Sequence, residues 1–432
     1  MRLSKAKVLF ILIIENNKTL NNGEIAMAAW IEKIGVRKYL VFFLLYLGWC
    51  ISFIDRTAIS ISATNIIKDL TISPVQMGAV LSMFYIGYTI MQIPGGWLAD
   101  KIGSKKVILV AVGLWSIFTM LTGMVESLMA LLVIRLLFGL GEGGFPPASF
   151  KSIAENFKGV SRSNASSAMM SSNYIGSMIA PLIVAPLIIA FNWRNTFMII
   201  GVVGFIYIII YAFLTPSSQE IQKTIDVSKT ASSLVFKNTY LWTICAMWFG
   251  ISIVNKGLDT WMPIYLMTER GLDLKSVGWL LPIPFLIAGL TTAVGGWFVN
   301  KFFDGKERLL IIPCCILMCL GLYEMYSAAT IAQVIIAQGI VYLFKSLIFA
   351  LVIALPAKKL PQEQIGRGLG VINTGGMAAG FVAPVLIGAL VSWSGYHAVF
   401  MFLICSVIFS LLMSFWIKSQ KIEDVKSQLS NA

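Results

Sequence analysis

Asp55, Arg56, Arg135, Glu142, Lys256, Asp259 and Lys345 stand inside stretches that are otherwise apolar. An ionised group held away from water is expensive, so such residues mark pathways or coupling sites by default. Arg135 and Glu142 are two helical turns apart and project from one face. A guanidinium stays charged at any relevant pH, and its planar fork matches a carboxylate. Arg56 and Arg135 are therefore candidates for holding an anion, with Lys256 and Lys345 as further cations. Asp55 and Glu142 are candidates for carrying protons. A buried carboxyl answers to two opposing pulls, desolvation favouring its neutral form and a nearby Arg its charged form. An anion arriving between them shifts that balance and links the two binding events. The structural alternative is a set of internal ion pairs, Lys256 with Asp259 one turn on and Lys345 with Glu142 across a bundle. Four cations against three acids still favour an anion.

The elements that position these residues follow from composition. The 432 residues are 58% hydrophobic and 12% charged, with mean hydropathy +0.83, against about 45–50% and 25% in soluble domains. A string of soluble domains is excluded. So is a secreted disulfide scaffold, because Cys50, Cys245, Cys314, Cys315, Cys319 and Cys405 lie in apolar runs without framework spacing. A helix needs about 20 apolar residues to cross a bilayer. Twelve stretches qualify, at roughly 39–62, 76–97, 106–123, 127–149, 164–190, 196–215, 240–267, 275–299, 308–326, 330–355, 364–391 and 396–417. The expected fold is an all-α polytopic membrane protein of twelve transmembrane helices. Its parts are a cytoplasmic segment 1–38, a six-helix bundle 39–215, a linker 216–239, a second bundle 240–417 and a tail 418–432. Within the first segment, the apolar run at 8–14 is too short to span and no cleavage site follows it. A cytoplasmic extension, or a start at Met27, accounts for it.

The net charge of +13 is a topology signal. Apart from the four buried cations and Lys68, Arg194, Arg270 and Lys275, every Lys and Arg precedes the first span, follows an even-numbered span, or lies in the tail. The positive-inside rule then places both termini in the cytoplasm. A nucleic-acid partner is not needed to explain the charge.

The chain repeats itself. At an offset of 200, Met77-Gly78 answers Val277-Gly278, Leu81 answers Leu281, Gly95-Gly96-Trp97 answers Gly295-Gly296-Trp297, and Lys101 answers Lys301. At an offset of 203, Ala180-Pro181 answers Ala383-Pro384 and Phe197 answers Phe400. Two six-span copies in the same orientation are the plan of a rocking transporter, with its site between the halves near the midplane. Counting about 1.5 Å per residue from the span ends puts Arg56 and Arg135 about 10 Å deep and Glu142 and Lys345 near the midplane. Asn173 and Tyr174 in the fifth span are candidate cavity lining, since a polar group in lipid must find a partner. His397, the sole histidine, occupies the repeat position of Arg194 in an outer loop.

The loop after the second span reads Gly96-Trp97-Leu98-Ala99-Asp100-Lys101-Ile102-Gly103-Ser104-Lys105-Lys106. It resembles the loop signature of the major facilitator superfamily, departing at Ser104. Gly96, Asp100, Lys101, Gly103 and Lys105 would form a gating loop, in which a span-end carboxylate locks two helix ends by ion pairing. Asn300 replaces the carboxylate in the second half, so the lock is expected to be asymmetric.

Asp55-Arg56 in the first span, and Arg135 followed by Glu142-Gly143 and Pro147 in the fourth, resemble the anion:cation symporter family of that superfamily. Thr260-Trp261, Pro263, Tyr265-Leu266 and Asn373 extend the likeness. The resemblance implies proton-coupled import of sugar acids such as hexuronates, aldonates and aldarates. It implies that Arg56 and Arg135 bind the substrate carboxylate, Asp55 and Glu142 take protons, and Asn373 bonds substrate hydroxyls. The chain departs at Phe53, where a Tyr is frequent, and at Ile353, where a Trp is common. Lys256 and Lys345 are additional and hint at a second acidic group.

The expected protein is thus a secondary active carrier of the cell membrane, acting as a monomer on a small organic anion, with protons as coupling ion and no other cofactor. Nothing in the chain resembles a metal cluster, a phosphate loop or a nucleophile constellation, so no enzyme is expected. The rival functions are antiport or uniport of an organic anion or phosphate ester on the same fold, an anion channel, and a non-transporting sensor.

Overall fold

The computed structural model describes residues 36–157, 159–215, 238–360 and 365–417. The apolar run at 8–14, nearly all of the linker, and the tail lie outside the described residues. All regular structure among the described residues is helical. In chain order the helices are α1 (Val36–Asp69), α2 (Pro74–Ile102), α3 (Ser104–Thr122), α4 (Leu128–Gly143), α5 (Phe145–Asn156) and α6 (Gly159–Leu214), then α7 (Thr239–Thr268), α8 (Leu274–Leu280), α9 (Pro282–Phe302), α10 (Glu307–Ser327), α11 (Ile331–Lys359) and α12 (Ile365–Ser414). Gly144 and Leu281 keep near-helical backbone, so α4 runs on into α5 and α8 into α9 as single crossings.

Two helices are far too long for one crossing. A helix rises about 1.5 Å per residue, and the hydrocarbon core is about 30 Å thick. The 56 residues of α6 overshoot that thickness more than twofold. Its backbone leaves the helix at Asn192 (φ 63°, ψ 168°), and that of the 50-residue α12 leaves it at Gly395 (φ 70°, ψ −168°). The chain doubles back there, so Ser172 on the first arm of α6 meets Cys50, and Tyr207 on the second arm donates to Leu44 O at 2.9 Å. The Asn192 side chain accepts from Asn195 N at 3.0 Å and starts the return helix as an N-cap. Gly395 meets nothing that a Cβ would touch and, lacking one, reverses the chain at no steric cost. The two reversals occupy equivalent places in the repeat, Asn192 answering Gly395. Among the described residues, ten long apolar rods thus make twelve crossings in two six-helix halves.

Within each half the helices approach to backbone contact where glycine permits it. A methyl at Gly139 would meet Phe84 O and, at 2.8 Å, Tyr88 N, while one at Gly87 would meet Leu136 O and Leu140 N. These contacts bring α4 against α2 and so place Arg135 and Glu142. Gly139→Ala is expected to cost about 1–3 kcal/mol through overpacking, read as a Tm several degrees lower in detergent. A Tm equal to wild type would show that α2 and α4 can part without loss.

The halves touch at one end of the molecule, the end that carries residues 70–73, 192, 271 and 395. Gly78 faces Pro384 O there, and Gly278 faces Pro181 O at 3.2 Å from a built Cβ. These two contacts exchange under the repeat. Hydrogen bonds between the halves run from Thr64 to Met267 Sδ (3.5 Å), through Ser82 to Phe381 O (2.7 Å), to Gln92 with Met377 Sδ (3.9 Å) just past the middle of α2. The described hydrogen bonds between the halves therefore run from that end to about the middle of the molecule.

Candidate functional site

The first half supplies the core of the site from α1, α3 and α4. Glu142 is fully buried on α4, and its Oε1 accepts from Arg56 Nε at 2.7 Å and from the Ser52 hydroxyl. The Arg56 guanidinium is cradled by aromatic faces, with Cζ 4.8 Å from the Phe53 ring centre, 5.0 Å from Phe84 and 4.4 Å from Tyr88. Asp55, one residue before it, turns to α3 and accepts from the Thr119 hydroxyl. Arg135 lies against Phe138 (4.6 Å) and Phe84 (5.5 Å), and Asp55 and Glu142 lie within its electrostatic reach. It makes no ion pair among the described residues. Buried polar atoms are almost always hydrogen-bonded, yet Asp55 Oδ1, Arg135 Nε, Glu142 Oε2 and Asn173 Oδ1 are all buried without a partner. Asp55, Arg135 and Glu142 lie within one another's electrostatic reach, and their unmet atoms together suit a site that takes an ionic guest.

The second half presents a different set. Lys345, buried on α11, donates to Asn255 Oδ1, and its ammonium stands 4.0 Å from the Tyr342 ring centre. The Tyr342 hydroxyl donates to Asp259 Oδ1. Lys256 reaches out of its half, to 5.0 Å from the ring centre of Tyr85 on α2. The pairings expected from sequence are therefore replaced. Lys256 does not pair with Asp259, because Tyr342 takes that carboxylate, and Lys345 does not meet Glu142, because Arg56 holds it. Tyr174 on the first arm of α6 faces Thr292 and Ser346 across the gap between halves. Asn373 is exposed one turn beyond Met377, on the open side, and no described contact links it to the charged cluster.

The repeat register relates the two sets. At the offset of 203, Glu142 answers Lys345, Ser52 answers Asn255, Arg56 answers Asp259, and Arg135 answers Gln338. The contact Ser52 with Glu142 thus recurs as Asn255 with Lys345, and the acid–base sense of Arg56 and Glu142 is inverted in Asp259 and Lys345. The signal for this inversion lies in the sequence, because the offset set by Ala180-Pro181 and Ala383-Pro384 extends to the buried charges. Ser52, Thr119, Tyr85, Asn255 and Tyr342 carry no such signal individually.

The expected gating loop is helical on both sides of Gly103, with Gly96, Asp100 and Lys101 in the last turns of α2 and Lys105 in the first turn of α3, and it ties together helices of one half. Asp100 pairs with Lys151 of α5 at 2.9 Å, a partner not expected from the sequence, and Lys151 also donates to Ala99 O at 2.7 Å. Lys101 lies over Trp97 at 4.9 Å, and Gly103 turns the chain at φ 91°. Gly96 packs 3.6 Å from Pro147, measured from a built Cβ. Lys105 donates to Ala212 O (2.7 Å) and Thr215 O (2.5 Å) at the end of α6. Arg308, its counterpart in the repeat, donates to Phe415 O (2.6 Å) and Ile417 O (2.9 Å) at the end of α12. Each half thus anchors its last helix with a cation from its third crossing.

The sequence model described as Major Facilitator Superfamily matches residues 45–341 and 278–430. Among curated relatives, a probable sulfoacetate transporter of Cupriavidus necator is 28% identical over 384 residues, covering 83% of this chain and 89% of that one. A hexuronate transporter of Bacillus subtilis is 29% identical over 379 residues, with the same coverages. A probable galactarate/D-glucarate transporter of Escherichia coli is 28% identical over 423 residues, covering 88% and 95%. In fold, the chain is similar to a bacterial homologue of the human lysosomal transporter Spinster, crystallised in an inward-facing, unoccupied conformation. The TM-score is 0.74 at 18% identity, over 88% of this chain and 97% of that one.

Proposed function

Because the chain belongs to the Major Facilitator Superfamily, we propose that it imports an organic carboxylate, a sugar acid or sugar diacid, together with protons by alternating access. The relatives named for organic-acid transport support the substrate class. One observation carries the mechanism: the fully buried Glu142 occupies Arg56, beside an Arg135 that makes no ion pair among the described residues. A proton on Glu142 removes the charge that holds Arg56, so a substrate carboxylate can take the vacated place. Anion and proton then enter with no net change of buried charge, which a low-dielectric site requires. Asp55 is the second proton carrier, and Asn173 and Asn373 bond substrate hydroxyls. The carrier sits in the plasma membrane as a monomer with both termini in the cytoplasm, and protons are its coupling ion. Asp100, Lys101, Lys105 and the glycines Gly96 and Gly103 act as the gating loop by holding the helix ends of the first half in register.

Uptake by proteoliposomes under an imposed inward proton gradient tests this, with sugar acids and sugar diacids as substrates. Wild type is expected to accumulate substrate above equilibrium. Glu142→Gln, which keeps an acceptor for Ser52 but cannot titrate, is expected to lose accumulation while retaining exchange of substrate for substrate. Accumulation unaffected by Glu142→Gln would remove this carboxyl from the coupling. Uptake indifferent to the gradient in wild type would overturn symport.

A further inference from the structure

Lys345 fixes the polarity of a neighbouring amide. An ammonium donates hydrogen bonds and cannot accept them, whereas an asparagine carries an acceptor oxygen and two N–H donors. Buried on α11, Lys345 donates to Asn255 Oδ1 on α7. The Asn255 amide is thereby kept from turning over: its oxygen is spent on Lys345, and Nδ2 is left with both hydrogens. Among the described residues no hydrogen bond takes them, and Asn255 is only half-buried. The first half holds the opposite arrangement at the matching place. Ser52, which Asn255 answers in the repeat, spends its hydrogen on the buried Glu142 and keeps only acceptor capacity. A buried charge thus polarises its polar neighbour in each half, in opposite senses.

The amide stands where α7 looks toward the first half. Lys256, the next residue, reaches the Tyr85 ring of that half at 5.0 Å. Asp259, one turn on from Asn255, lies within the electrostatic reach of Tyr174 on α6. The seam between α7 and α11 is meanwhile tied on either side of the amide. Trp248 stacks on Phe349 at 5.3 Å two turns before it, and Tyr342 donates to Asp259 one turn after. Asn255 and Lys345 are therefore fixed relative to each other by packing on rigid helices, which is what a preorganised contact needs.

We infer that Asn255 is a substrate-binding residue, whose two N–H donors hold an oxygen on the carbon chain of the transported acid, and that Lys345 is the positioning residue that aims it. The inference rests on the reading of this protein as an organic-acid carrier and adds a rule of selection to it. The substrate group at this place must accept a hydrogen bond. A hydroxyl and an oxo group both do so, and a C–H does not. Buried donors left unfilled discriminate against the analogue that lacks the acceptor. An amide free to turn would suit donors and acceptors alike and enforce no such rule.

The test is uptake in proteoliposomes of a transported sugar acid and of its analogues with one hydroxyl at a time replaced by hydrogen or by an oxo group, with Tm recorded for each protein. In wild type, at one position, the deoxy analogue is expected to lose about tenfold in kcat/KM, the size of one hydrogen bond, while the oxo analogue is carried like the parent. Asn255→Ala is expected to erase that difference at that position alone. Asn255→Asp still accepts from Lys345 but turns an acceptor to the substrate, so the oxo analogue should fall about tenfold against the parent hydroxy acid, with Tm at or above wild type. The ratio of the two analogues is the readout, because the added charge weakens both alike. Lys345→Met, which frees the amide, should shrink the deoxy penalty, and Lys345→Arg, which still donates to Oδ1, should restore it. Asn255→Asp carrying hydroxy and oxo acids in the wild-type ratio at normal Tm would show that Asn255 serves only Lys345, and would overturn the proposal. So would a wild type indifferent to the loss of every hydroxyl. A wild type that accumulates no organic acid overturns the carrier reading instead.

Discussion

Arg135→Gln is expected to lower uptake of the organic acid by two to three orders of magnitude while leaving the Tm of the carrier within a few degrees of wild type. Removing one partner of a buried, hydrogen-bonded charge pair costs about 3–5 kcal/mol, and each 1.4 kcal/mol is about tenfold. That penalty falls on the bound state, because in the proposed mechanism the partner is the substrate. In the empty carrier Arg135 has no acid within ion-pair distance, so its loss breaks no ion pair, although Asp55 and Glu142 lose a nearby positive charge. What goes is contact with the rings of Phe84 and Phe138, worth about 2 kcal/mol each at a desolvated site. Glutamine is the residue the second half carries at this place, Gln338, where it is buried between helices without disrupting them. Glu142→Ala gives the opposite pattern, because it leaves Arg56 without its partner and lowers Tm as well as uptake. Uptake assays and thermal unfolding on the same preparations separate the two. Substantial uptake by Arg135→Gln would show that Arg56 alone binds the carboxylate.

Gly78→Leu is expected to force the closed end of the carrier apart. A Cβ at this position lands on Pro384 O and 3.2 Å from Val385 Cα, backbone atoms that cannot turn aside. The clash arises only while the halves are in contact at that end. Its cost of about 1–3 kcal/mol or more therefore falls on one conformation and moves the equilibrium about tenfold or further toward the other. Spin labels at Thr71→Cys and Glu269→Cys, exposed on opposite halves of the closed end, should report a longer distance in the Gly78→Leu background, and gradient-driven uptake should fall. Gly296→Ala, where a methyl meets open space, should leave both unchanged. An unaltered distance in Gly78→Leu would mean that the contact can slip without opening.

The crossings were legible because hydrocarbon thickness demands a countable length of apolar chain, and the two-copy plan because Gly-Gly-Trp and Ala-Pro recur in register. The helix ends were less so. The apolar run of the first stops near 62, yet α1 continues to Asp69, since Thr64, Asn65 and Lys68 are polar but still helical. That of the fourth ends near 149, and the helix continues through Lys151 and Glu155 to Asn156 for the same reason. Polarity reports where lipid ends, not where hydrogen bonding ends. At the site, helical spacing suggested Asp259 for Lys256 and nothing for Lys345. The actual neighbours, Tyr85 and Asn255, come from other crossings, and only packing decides them. Asp100 with Lys151, and Asp55 with Thr119, are likewise contacts between helices far apart in the chain.

The paired glycine–proline contacts at the closed end also set a mechanical scale. Crossings that meet at one margin of a bilayer about 30 Å thick act as levers whose arm is the full thickness, so each degree of tilt about Gly78–Pro384 and Gly278–Pro181 moves the far ends by about 0.5 Å. With Lys105 and Arg308 pinning the last helix of each half to its third crossing, that tilt is delivered undiluted to the far margin. A change of contact smaller than one atom's diameter at the pivot is enough to alter the width of the opposite mouth by the size of a sugar hydroxyl.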